Sequence, residues 1–138
     1  MKDHFQYSNE QLEQLFEDCT LPPEYFSHEA HLRLAWIHIR RYGVEQAIAN
    51  ITTQIKAYAT SLGAAQKYHH TVTVAAVKVV EHFMGRSDSD DFAALIVEFP
   101  RIKYQFKELL FSHYSVDIFA LESARFQYLE PDLLPFDS

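Results

Sequence analysis

The chain has 138 residues, 48% of them hydrophobic and 14% aromatic, with a formal net charge of -7, one cysteine and only three glycines. That length predicts one domain, burying about 68% of the surface that its unfolded chain would expose. Twelve scattered Lys and Arg residues in an acidic chain provide no basic face, so nucleic acid is not an expected partner.

A single thiol, Cys19, excludes an intramolecular disulfide and any CxxC-type redox or zinc-ribbon site. No basic stretch followed by an apolar run opens the chain, and no apolar run approaches 18 residues. The expectation is a cytoplasmic protein with no membrane partner.

The helices are read from their punctuation. Ser8 with Gln11 three residues on is a capping-box pattern, opening a helix to about Asp18 that Pro22 and Pro23 close off. Ser27 caps a second helix running to Arg41, with Gly43 as its stop. A third runs from about Val44 to Leu62, where Ala47, Ile48, Ile51, Ile55 and Tyr58 recur at helical spacing.

The fourth begins near His69 or Thr71 and ends at Met84 before Gly85. Its β-branched run TVTVAAVKVV also reads as a strand, but its length and the spacing of Lys78, Glu81 and His82 favour a helix. A fifth covers about Ser89 to Glu98, stopping before Pro100, and a sixth about Ile102 to His113. Short helical turns follow Ser115, with Ser123 as a cap, and the tail from about residue 130 is irregular. The fold class is all-α: one domain, residues 1–138, with five to seven helices in a bundle-like or orthogonal packing.

Helical phase sorts the eight histidines. On the second helix His28, Leu32, Ala35 and Ile39 fall within about 40° of one line, with His31 roughly 60° and His38 roughly 80° to the side. Glu29, Arg33 and Arg40 lie opposite. His69 shares a face with Thr73, Ala76, Val80 and Phe83, and His113 aligns with Phe106, Leu109 and Leu110. The expected inward set is therefore His28, His31, His69 and His113. His38 is borderline, and His4, His70 and His82 are expected in solvent.

Burying imidazoles is costly without a hydrogen bond or a metal. An i,i+3 pair joined by two more histidines points to ligands for a divalent transition metal such as Zn, Ni, Fe or Cu. Tyr68, Thr71, Thr73 and Tyr114 flank the set and are candidates to orient the rings or meet a substrate. The bland alternative is a core in which each imidazole bonds a carbonyl, Tyr or Thr. His28-Glu29-Ala30-His31 is one residue short of the HExxH spacing, and Glu98 and Glu108 lie on outer faces, which disfavours a carboxylate-bridged di-iron centre. Cys19 has no basic neighbour in sequence and reads as packing.

The strings FSHEAHLRLAW, KYHHTVT, SHYS and SARFQYLEPDLLPF resemble an uncharacterised family of small bacterial all-helical proteins. Its pattern runs His-x-x-His-Leu-x-x-Ala-Trp, Tyr-His-x-Thr-x-Thr, His-Tyr-Ser, then Pro-Asp-Leu-x-Pro. His28, His31, Tyr68, His69, Thr71, Thr73, His113, Tyr114, Pro131 and Asp132 match it, while position 70, acidic in the pattern, is His70 here. The family brings no activity with it. A looser, fold-level similarity is to DinB-like bundles, which hold a divalent metal with three histidines from different helices.

The expected function is a histidine-lined pocket that binds a divalent transition metal and is open to small-molecule chemistry. The alternatives are a metal-free ligand binder or acid/base enzyme using buried His and Tyr, and an interaction module with a histidine core network.

Overall fold

The computed structural model describes residues 3–136, which form eight α-helices and three 3₁₀ turns with no strand among them. The chain divides into two compact units, one through Tyr68 and one from His69.

In the first unit, α1 (Asn9–Glu17), α2 (His28–Tyr42) and α3 (Val44–Ser61) are the main elements. The predicted capping box is present: Gln11 N donates to Ser8 Oγ at 3.1 Å and Ser8 N to Gln11 Oε1 at 2.9 Å. Beyond α1, Cys19 adopts φ 60, the left-handed conformation that turns a helix end, and Thr20 and Leu21 both donate to Leu15 O. Ser27 Oγ accepts from Ala30 N at 3.1 Å, capping α2.

One residue joins α2 to α3. Gly43 at φ 87 donates to Ile39 O and accepts from Ala47 N, serving as the end of one helix and the start of the next. A side chain at that φ would be strained. α2 packs chiefly on α3, and α1 on both. Leu12 and Phe16 of α1, Leu34 of α2, and Ala47, Ile51 and Tyr58 of α3 are all buried. Phe16 lies 5.0 Å from Phe26 and 4.9 Å from Tyr58, whose hydroxyl donates to Leu21 O at 2.6 Å. That hydrogen bond lets a phenol sit in an apolar core.

The second unit holds α4 (His70–Met84), α5 (Phe92–Glu98), α6 (Arg101–Tyr104), α7 (Phe106–Phe111) and α8 (Glu122–Phe126). The β-branched run is helical, and nine of its helix's residues are buried, so packing outweighs the modest χ1 cost of each Val. α5 starts three residues later than the expected Ser89, and Asp91 caps it, with Oδ1 accepting from Ala94 N at 2.7 Å. The sixth predicted helix is broken: Gln105 leaves helical geometry at φ -131, ψ 36 and separates α6 from α7. Leu121, not Ser123, occupies the N-cap position of α8.

The irregular tail is nonetheless tethered. Thr71 Oγ1 donates to Gln127 O at 3.0 Å and accepts from Leu129 N at 3.1 Å. Tyr114 Oη donates to Leu129 O at 2.7 Å, and Leu133 N to His113 O at 2.9 Å. Asp132 accepts from the Ser115 amide at 2.9 Å and from its hydroxyl. No described helix is long and apolar enough to cross a membrane.

Candidate functional site around the histidines

His28 opens α2 and is exposed rather than inward. A residue in the first helical turn lies past the end of the stripe its phase assigns it to, so phase alone does not bury it. One turn later, His31 packs near the Phe26 ring, centroid to centroid 6.2 Å. Its side chain is half-buried as a whole, but Nε2 is sealed from solvent and has no hydrogen-bond partner among the described residues. Burial, and then the like charge of His28, push its pKa down to about 4. His31 is therefore a neutral imidazole at physiological pH.

In the second unit, His69 is the N-cap of α4. Its Nδ1 accepts from Val72 N at 3.2 Å, and Nε2 donates to Ile118 O at 2.8 Å. Both ring nitrogens are engaged, a role that helical phase did not anticipate because imidazole is an unusual cap. Thr73 Oγ1 bonds His69 O at 2.7 Å, and Tyr114 holds the tail. Tyr68, half-buried, is the last residue of the first unit and follows the 3₁₀ turn Ala65–Lys67.

His113 is half-buried, with Nδ1 donating to Leu134 O at 2.6 Å and its ring 4.3 Å from that of Phe136. It lines a cavity of about 180 Å³ with His82, Phe83 and Arg101. His82, expected in solvent, is half-buried, and its pKa is lowered first by burial and then by the neighbouring Arg86 and Arg101 guanidinium groups.

His4, also expected in solvent, is 2% exposed. Its Nε2 donates to Glu29 Oε1 at 2.9 Å, and its Nδ1 accepts from Arg33 Nη1 at 3.2 Å. Arg33, expected on the outer face of its helix, is buried, and its guanidinium also donates to His4 O, Tyr7 O and Asn9 Oδ1. His38 is buried, and its Nδ1 accepts from Asn50 Nδ2 at 3.2 Å.

Among the described residues, one trio of His, Cys, Asp or Glu ligand atoms lies close enough to share an ion: Asp3, His4 and Glu29. It contains none of the four histidines read from the sequence. Its donor set fits a metal poorly. Both nitrogens of His4 are hydrogen-bonded, and the Arg33 guanidinium bonded to Nδ1 would repel a second cation. His4 instead fastens the 3₁₀ turn His4–Gln6 to Glu29 and Arg33 of α2. No signal in the sequence paired residue 4 with residue 33.

No family model, no curated protein and no solved structure matches this chain.

Proposed function

We propose that the chain binds a divalent transition metal through the His28–His31 step at the start of α2, and acts there on a small molecule. The observation that carries this reading is the sealed, unpartnered Nε2 of His31. Leaving a buried polar atom unsatisfied costs about 1–3 kcal/mol, a cost that a bound group would offset. Neutral imidazole is the form that ligates Zn, Ni, Fe or Cu. Exposed His28, an i,i+3 neighbour, offers a second ligand reachable from solvent. Coordination positions left to water would suit metal-activated hydrolysis.

His69 is set aside as a ligand because both of its nitrogens are engaged. His113 retains Nε2, and we place it in the second unit's own cavity. The metal-free acid/base alternative is weaker, since an imidazole that protonates only near pH 4 is a poor base at neutral pH. We place the protein in the cytoplasm, in keeping with its lone thiol.

Elemental analysis of untagged protein should show a near-stoichiometric transition metal that His31→Ala removes. At a hundredfold excess over Kd the metal should add about 3 kcal/mol of stability. Metal-free protein, with no melting shift on adding Zn, Ni, Fe, Cu or EDTA, would overturn the reading.

A further inference from the structure

The cavity in the second unit has a chemistry of its own. Its wall is drawn from α4, α6, α7 with the residues that follow it, and the tail, and holds His82, Arg101 and His113 but no carboxylate. Arg101 is exposed and stacks 5.0 Å from the Phe83 ring, which holds the guanidinium by its face and leaves its N–H edge available. No described carboxylate lies within ion-pair distance of it. The His113–Leu134 bond fixes the proton of His113 on Nδ1, so Nε2 remains uncommitted. Apart from Ser112, the rest of the lining, which includes Phe83, Leu109 and Phe136, is apolar.

A cavity of roughly 150 Å³ lined by apolar side chains accommodates benzene. The cavity seen here, about 180 Å³, is thus sized for one small ring or a short alkyl chain and is too small for a nucleotide. One permanent cation beside two imidazoles and an aromatic floor complements a ligand with one anionic end and an apolar body. A metal is a poor match, because Arg101 would repel it.

We propose that this cavity is a binding site for a small organic monocarboxylate, its carboxylate meeting Arg101 and His82 and its apolar body lying against Phe83, Leu109 and Phe136. The site is independent of His28 and His31.

The test is an NMR titration of the full chain at fixed pH, following the ring resonances of His82 and His113. The probes are benzoate, hexanoate, inorganic phosphate and, as a neutral isostere, benzamide. Benzoate or hexanoate should give saturable shifts at both rings, and Arg101→Gln should weaken that binding about five- to tenfold. Arg101 is exposed, so the variant should keep the parent melting point, and His31→Ala should leave the affinity unchanged. Equal binding of benzamide, saturation by phosphate alone, displacement by Zn, or no saturable shift with either carboxylate would each overturn the assignment.

Discussion

The His69 ring donates from Nε2 to the main-chain oxygen of Ile118, 49 residues away, at 2.8 Å. With Nδ1 accepting from Val72, the ring closes the first turn of α4 and ties it to the segment ahead of α8. This long-range bond turns a residue with the sequence signature of a ligand into a structural joint. His69→Ala should cost about 1–2 kcal/mol in urea denaturation, while His69→Asn, which keeps a cap acceptor, should recover roughly half. Equal losses for the two variants would show that the cap contributes little.

Arg33 is the counterpart in the first unit. Its donors satisfy His4 O, Tyr7 O, Asn9 Oδ1 and His4 Nδ1 from a buried position. Arg33→Met should destabilise by about 3 kcal/mol, because it strands the two buried His4 acceptors and removes the donors to half-buried Tyr7 O and Asn9 Oδ1. Arg33→Lys should not restore stability, since an ammonium cannot reproduce the planar fork. Chemical denaturation of the two variants checks both statements.

Stability should fall in mild acid. The folded-state pKa of His31, about 4, lies below its ordinary 6.5. Between those values the unfolded chain binds the proton and the folded chain does not. The contribution is therefore complete above pH 6.5 and is lost as pH falls toward 4, amounting to about 3 kcal/mol. Burial lowers His4 and His38 in the same direction. In EDTA, His31→Leu should reduce the loss measured between pH 7 and 4.5 by about 2–3 kcal/mol. An unchanged slope would show that His31 does not titrate this way.

Asp132 should govern the order of the tail. Hydrogen bonds from Ser115 hold its carboxyl below the usual range. The clamp is present above the ordinary carboxylate pKa and is lost as pH falls through the lower folded value. Asp132→Ala should speed hydrogen exchange at the Ser115 amide, which donates to Asp132, and at Leu133, which donates to His113 O. Exchange in the α1 to α3 amides should be unaffected.

Cys19 occupies a left-handed position at φ 60, where glycine carries no steric penalty. Cys19→Gly should stabilise by about 0.5–1 kcal/mol after the loss of a half-buried thiol, raising Tm by roughly 2–4 °C. A lower Tm would mean that the thiol's packing outweighs the backbone strain.

Local chemistry accounts for what could be read before the fold was seen. Ser8 with Gln11, Ser27 before the second helix, and Gly43 and Gly85 after helices each act within a few residues, and the structure places helix ends at all four. The break at Gln105 was not legible, because no proline or glycine marks it.

The histidines divide along the same line. Sequence alone determined an all-α chain and singled out His28, His31, His69 and His113 as an inward set, because caps and apolar periodicity are local. Only the tertiary structure decided that His28 is exposed, that His69 is fastened to Ile118, that His4 is buried under Arg33, and that His82 and His113 share a cavity with Arg101. The physical reason is that a side chain's surroundings are set by segments distant in sequence. Helical phase fixes the direction in which an imidazole points and carries no information about what meets it there.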